Sequence, residues 1–139
     1  MNVQKGENME EKKPIYTLTL SSEQVKAVRD AVELMMRLKI NQPEEIPRAV
    51  LNWGEGLEVD EWCRRRDRAE PYLHLGFKEL FPTLQDVKKD TLWHRLYDLY
   101  QVTRYAIHEA EHPASQGVDS YKPMCTASEP LAKCEWRRE

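Results

Sequence analysis

The sequence predicts an α+β fold, mostly helical, with a small antiparallel sheet formed by the N- and C-terminal segments. Three observations predict it. Ile15-Tyr16-Thr17-Leu18-Thr19-Leu20 alternates with period two and is rich in β-branched and aromatic residues. Two long segments, following Ser21 and Asp90, carry apolar residues at helical spacing. The C-terminal stretch holds short alternating pieces around Val118–Tyr121 and Lys133–Arg137. These can pair with the first strand, which alone cannot satisfy its backbone.

Residues 1–14 are polar and charged and read as a disordered tail, not a targeting sequence. Residues 15–139 read as a single domain. In the strand, Tyr16, Leu18 and Leu20 share one face, and Ile15, Thr17 and Thr19 the other. Ser21 with Gln24 forms a capping box for a helix reaching about Leu38 or Ile40. Its apolar stripe is Val25, Val28, Ala31, Val32, Met35 and Leu38, with Lys26, Asp30, Glu33 and Arg37 opposite. Asn41-Gln42-Pro43 stops it. A second helix is expected over Glu44–Asn52, with Pro47 in its first turn. Trp53-Gly54-Glu55-Gly56 reads as a joint. Leu57–Ala69 is helix-compatible, and Pro71 is expected to end it. Gly76 and Pro82 predict loops around one short helical turn for Tyr72–Leu84. Asp90 caps the strongest helix, Thr91 to about Glu111, with Leu92, Leu96, Leu99, Thr103, Ala106, Ile107 and Ala110 on one face. Pro113 ends it.

The chain has 139 residues, 40% apolar and 32% charged, with a net charge of −3. That is enough for a core without disulfide or metal staples. No apolar run approaches the ~20 residues of a spanning helix, so no membrane partner is expected. The charge lacks the basic excess of a general nucleic-acid binder, so neither DNA nor RNA is expected. Three cysteines without a secretory leader point to a reducing cytoplasm. Apolar surface left over by so small a sheet predicts a homodimer or larger oligomer.

His108-Glu109-Ala110-Glu111-His112 matches H-E-x-x-H, in which two histidines one turn apart bind zinc and the glutamate acts as general base. A small zinc metalloprotease is the alternative this motif raises. Its context is poor: Pro113 puts the second histidine on the last turn, and Ser115 and Val118 stand where the extended motif needs Gly and a ligand. No metal or other cofactor is therefore expected. Cys63, Cys125 and Cys134 have no C-x-x-C spacing, and no glycine-rich phosphate loop or nucleophile motif is present.

Trp93, Tyr97, Tyr100, Arg104, His108 and Glu111 recur at spacings of three and four. Such an aromatic wall with one guanidinium can stack a purine and clamp a phosphate. The competing reading is the edge of a core with a snorkelling arginine. Arg64-Arg65-Arg66-Asp67-Arg68 reads as a solvated face neutralised by Glu58, Asp60, Glu61 and Glu70. Its alternative use is to meet an acidic partner, as part of a non-catalytic protein-interaction module. Arg37 is most simply paired with Asp30 or Glu33.

The order of Tyr16-Thr17-Leu18-Thr19-Leu20-Ser21, then Met36-Arg37-Leu38-Lys39-Ile40-Asn41-Gln42, then Phe81-Pro82-Thr83-Leu84, then Tyr97-Asp98-Leu99-Tyr100-Gln101-Val102-Thr103-Arg104-Tyr105 and Gly117-Val118-Asp119 resembles a family of small phage and prophage proteins. This group is identified with the first-described Thoeris anti-defence sponges. The resemblance spans residues 15 to about 121. It implies a non-enzymatic phage protein in the cytoplasm of the infected bacterial host. Such a protein binds and sequesters glycocyclic ADP-ribose, a cyclic nucleotide immune signal, without cleaving it. Relatives form homodimers or homohexamers, and some also hold cyclic oligonucleotides. Arg37, Phe81 and Arg104 match where the family places ligand contacts, which makes the arginines phosphate clamps and Phe81 a base platform. With Trp93, Tyr97 and Tyr100 they are the candidate ligand-binding residues. The family's Asn-Gly turn after Phe-Pro-x-Leu is replaced here by Gln85-Asp86-Val87-Lys88-Lys89-Asp90, so a contact there is not carried over.

Overall fold

A computed structural model describes residues 12–50, 58–84 and 90–139. Among them are four α-helices: α1 (Ser22–Lys39), α2 (Glu45–Val50), α3 (Val59–Leu80) and α4 (Thr91–Glu111). A 3-10 turn follows at Val118–Ser120. Residues 1–11 of the expected tail and the Trp53–Gly56 joint lie outside the described residues.

No strand is formed among the described residues, so the expected antiparallel sheet of the chain ends is overturned and the α+β class with it. Between the two pieces read as strands, the C-terminal segment bonds to side chains of α4 instead. Gln101 Nε2 donates to Met124 O, and Met124 N donates to Gln101 Oε1, both at 2.9 Å. A side-chain amide thus presents the donor and acceptor that a neighbouring strand would have presented. One turn earlier on α4, Asp98 accepts from Thr126 N at 3.0 Å, Thr126 Oγ1 at 2.6 Å and Ala127 N at 3.0 Å. Arg95 pairs with Glu129, and the Arg138 guanidinium donates to Ala110 O. The chain end is strapped along α4 by these bonds. Residues 15–20 take no helix, strand or turn and make no backbone–backbone hydrogen bond among the described residues.

The first helix starts as its sequence dictates. Ser21 N donates to Gln24 Oε1 at 2.9 Å and Gln24 N to Ser21 Oγ at 3.2 Å, the reciprocal bonds of a capping box. It ends in a Schellman motif, with Gln42 N on Arg37 O at 3.0 Å and Asn41 N on Leu38 O at 3.1 Å. Asn41 takes the left-handed conformation this needs, at φ 63°. Pro43, fully buried, follows. The expected apolar stripe is rotated: Met36 is buried, whereas Val28, Ala31 and Met35 face outward.

α3 corrects a second expectation. It runs through Pro71 and Gly76 to Leu80, where loops were expected. Pro71 removes the bond to the carbonyl of Asp67, but both residues are exposed, so water can satisfy that carbonyl. Asp90 caps α4 as expected, accepting from Trp93 N at 3.0 Å.

α1 and α4 pack antiparallel and form the core. At one end Lys39 Nζ sits 2.7 Å from Asp90 Oδ2. At the other, Glu111 accepts from Lys26 Nζ and Ser22 Oγ, both at 3.0 Å. Val102, Ala106 and Ile107 of α4 are buried, with Met36 of α1, while Leu92 and Leu99 of the expected apolar face remain partly exposed.

Candidate ligand-binding site

α4 carries an unusual load of buried polar side chains: Asp98, Gln101, Thr103, Arg104 and His108. Most have partners. Thr103 Oγ1 donates to Leu99 O at 2.8 Å. Asp98 and Gln101 hold the C-terminal strap. Burial pushes the Asp98 carboxyl up, but the bonds from the Thr126 hydroxyl and the Ala127 and Thr126 amides outweigh it. The net effect holds Asp98 below its ordinary range.

Arg104 differs. It is 7% exposed, yet no carboxylate or hydrogen-bond acceptor among the described residues meets its guanidinium, and its buried Nε has no partner. Its guanidinium carbon lies 5.1 Å from the centre of the Tyr100 ring. Glu111, two turns on along the same stripe, is engaged by α1, so this stripe lies toward the α1–α4 groove. A buried guanidinium without a counter-charge is costly, and an anion beside it would offset that cost.

The aromatic members continue the stripe toward the N-terminus of α4. Trp93 and Tyr97 stack at 5.1 Å with planes 8° apart. The Trp93 indole Nε1 is buried and unpartnered among the described residues. The two aromatics therefore lie flat against one another, with the indole N–H buried.

Arg37 sits at the far end of the groove. Its terminal nitrogens reach Gln42 Oε1 at 3.1 Å and Glu33 Oε1 at 3.5 Å, and its Nε is buried without a partner. The Lys39–Asp90 ion pair fixes this end against the first turn of α4. Arg104 is fourteen residues beyond Asp90, so the two arginines stand roughly 20 Å apart along the helix axis at 1.5 Å per residue. Within one chain they do not share a pocket. Phe81 lies at the Arg37 end, half exposed, 5.0 Å from the Phe77 ring. It lines an open groove of about 400 Å³ with Lys39, Pro82, Leu84 and Asp90. The site residues thus divide into Trp93, Tyr97, Tyr100 and Arg104 along α4, and Arg37 with Phe81 near the end of α1.

The H-E-x-x-H residues lie in different surroundings. His108 is buried, with Nδ1 3.3 Å from Ser115 Oγ. His112 is exposed at the C-cap of α4, and Glu109 lies beside Tyr105, pushing that phenol up. Among the described residues no group of His, Cys, Asp or Glu is arranged to hold a metal ion. On α3, Arg64 and Arg65 pair with Glu61 at 3.1 and 2.9 Å, and Arg66 with Asp67 at 3.0 Å over the Trp62 ring. Sequence reasoning missed the roles of Asp98 and Gln101. Their signal was present as polar residues at spacing three in the middle of an apolar helix.

No helix among the described residues is long and apolar enough to cross a membrane. No protein-family model matches this chain, and neither the curated proteins nor the solved structures hold a match to it.

Proposed function

We propose that this chain is a non-catalytic binder of an anionic, purine-bearing cyclic nucleotide, a phage sponge that sequesters an immune signal of the glycocyclic ADP-ribose type. The observation that carries the reading is a set of donors without acceptors. Arg104 Nε, Trp93 Nε1 and Arg37 Nε are all buried and unpartnered among the described residues, and all three belong to residues singled out for ligand binding. A ligand rich in phosphate oxygens supplies what Arg104 lacks; Arg37, roughly 20 Å away along the helix, would need a second such molecule. The Tyr100–Arg104 pair serves a phosphate and the Trp93–Tyr97 stack a base. The resemblance in sequence supplies the biological setting. Sequestration requires tight binding without turnover, which calls for no poised acid or base.

The test is thermal unfolding of the full chain against cyclic ADP-ribose isomers, cyclic di- and trinucleotides and linear ADP-ribose, followed by mass spectrometry of the recovered ligand. A ligand at a hundred times its Kd adds about 2.7 kcal/mol, a rise of a few degrees for a domain of this size. One cyclic nucleotide should raise Tm and return intact, and Arg104→Ala should abolish the shift. A panel without any shift, or a shift that Arg104→Ala leaves whole, overturns the reading.

A further inference from the structure

We infer that residues 116–123 form the outer wall of the Arg104 site and that Lys122 supplies a second cationic contact to its anion, an inference that rests on reading Arg104 as an anion contact. The C-terminal segment meets this part of α4 at two anchors. Ser115 Oγ lies 3.3 Å from His108 Nδ1, and Met124 exchanges two hydrogen bonds with Gln101. Arg104 stands between Gln101 and His108 in the chain. At 3.6 residues per turn both anchors lie to one side of it, about 60° and about 40° round the helix. Glu111, which holds α1, lies about 20° to the other side. Arg104 is therefore at the seam between α1 and the C-terminal segment, and the residues joining the two anchors cross its level.

The register of the segment selects Lys122. The segment runs antiparallel to α4, with Thr126 on Asp98 and Met124 on Gln101. Two positions back along the segment thus match three positions on along the helix. The next such step sets Lys122 level with Arg104. Pro123 favours extended backbone at Lys122, and Tyr121 before it is extended at φ −76°, ψ 130°. The amides of Thr126 and Met124 both donate toward α4, and in extended backbone every second amide faces the same way. The Lys122 amide follows in that alternation and has no acceptor among the described residues. The exposed Lys122 ammonium has no ion pair among them either. Asp119, the one acid of residues 116–123, forms no ion pair with Arg104. A buried guanidinium, a second cation and a spare amide at one level, with no carboxylate answering them, are the donors of an oxyanion site.

The crossing residues have slack to admit a ligand. Their hydrogen bonds are internal, from Ser120 Oγ to Gly117 O at 2.6 Å and from Tyr121 N to Val118 O at 3.2 Å, and among the described residues none reaches α1 or α4. Their anchors are separated by roughly 10 Å along the helix axis, whereas an extended chain of this length reaches about 26 Å. Gly117, at φ 113° and ψ −159°, sets the path with a conformation that is essentially glycine's alone. A Cβ there would meet nothing within 4 Å, so its part is in the backbone and not in packing.

The test is 1H–15N NMR of the full chain, following the Arg104 Nε–Hε resonance and the amides of 117–122 during titration with cyclic ADP-ribose and, as a base-free probe, inorganic pyrophosphate. Arg104 and the crossing amides should shift together, with one Kd. Lys122→Gln should weaken that Kd by about 5- to 10-fold, with far-UV circular dichroism unchanged. Lys133→Gln, at another exposed lysine of the C-terminal segment, should leave it as it is. Gly117→Ala should weaken binding at least as much as Lys122→Gln, because it redirects the wall. If neither probe moves the Arg104 resonance, the anion reading fails and this inference falls with it. If Arg104 responds while the crossing amides stay still, the reading stands and the wall is overturned. Wild-type affinity in Lys122→Gln or in Gly117→Ala overturns it as well, and so do equal losses in Lys122→Gln and Lys133→Gln, which would reduce the contact to net charge.

Discussion

α3 and α4 are nearly equal in length, 22 and 21 residues, and both are rich in charged and polar side chains. They use that polarity in opposite ways. On α3 the charges answer one another along the same helix: Glu61 serves Arg64 and Arg65, and Asp67 serves Arg66. Trp62 is the one residue of α3 that is buried among those described. On α4 five polar groups are buried, and these and the exposed Glu111 are turned mostly toward other parts of the chain. Asp98 and Gln101 hold the strap, Glu111 holds α1, and Arg104 Nε is left without an acceptor among the described residues. Polarity on α3 keeps a helix in water. Polarity on α4 fixes the fold and, at Arg104, leaves a charge for something else.

The largest expected effect falls on Asp98. Asp98→Ala strands three donors of Thr126 and Ala127 and should destabilise the chain by about 3 kcal/mol, measured by urea unfolding. The same carboxylate gives an acid limb to stability. Its folded pKa lies below the ordinary value near 3.8, which it regains on unfolding. The stabilisation is therefore complete above the usual carboxylate range and is lost as pH falls through the folded value. Tm should drop below about pH 4, and Asp98→Asn should flatten that drop. An acid limb identical in Asp98→Asn would assign it to other carboxylates. Asp90, held low by its bond to Lys39 and then by the Trp93 amide, is the next to examine.

Gln101→Ala is expected to cost about 1–2 kcal/mol, because it leaves the Met124 amide and carbonyl without their partner. Hydrogen exchange should speed up first at Met124, Thr126 and Ala127. Arg104 breaks the pattern of α4 if it is a ligand residue. Arg104→Met removes a buried charge with no counter-ion among the described residues and keeps the stem's packing. It should leave stability unchanged or raise it by about 1 kcal/mol, while nucleotide binding is lost. A fall in stability as large as that of Asp98→Ala would make Arg104 a structural residue, and the two ends of α4 would then differ little.

Sequence alone made the helix starts legible, because caps are local. Ser21 with Gln24, and Asp90, bond to backbone within three residues. The end of α1 was legible in Asn41 for the same reason. The sheet was not, because pairing is a contest between distant segments. A period-two run says that a strand is possible, not that another partner has already taken the opposing backbone. Here Gln101 and Asp98 bind the backbone of Met124, Thr126 and Ala127, 23 to 29 positions away and between the two pieces read as strands. α3 was misjudged at Pro71, since the cost of a helical proline depends on whether the orphaned carbonyl meets water, and exposure is a tertiary property. The candidate site was half legible. The stripe from Trp93 to Arg104 follows from helical spacing. The roughly 20 Å that separates Arg104 from Arg37 follows from the antiparallel packing of α1 on α4, which no periodicity reveals.

The smallest expected effect tests the other half of the comparison. Glu61 lies under Arg65 and Arg64, whose bonds hold its carboxyl below the ordinary range. Both arginine side chains are more than 60% exposed, so water and salt compete for the same charges. Glu61→Ala should leave Tm within experimental error of the wild type at physiological salt. It should also leave nucleotide binding untouched, because the freed arginines belong to a solvated face. If instead the variant gained affinity for an acidic protein, the arginines of α3 would be a masked docking surface held in check by Glu61. Internal pairing would then be a means of control on α3, and the contrast with α4 would lie in which helix keeps its charges in reserve.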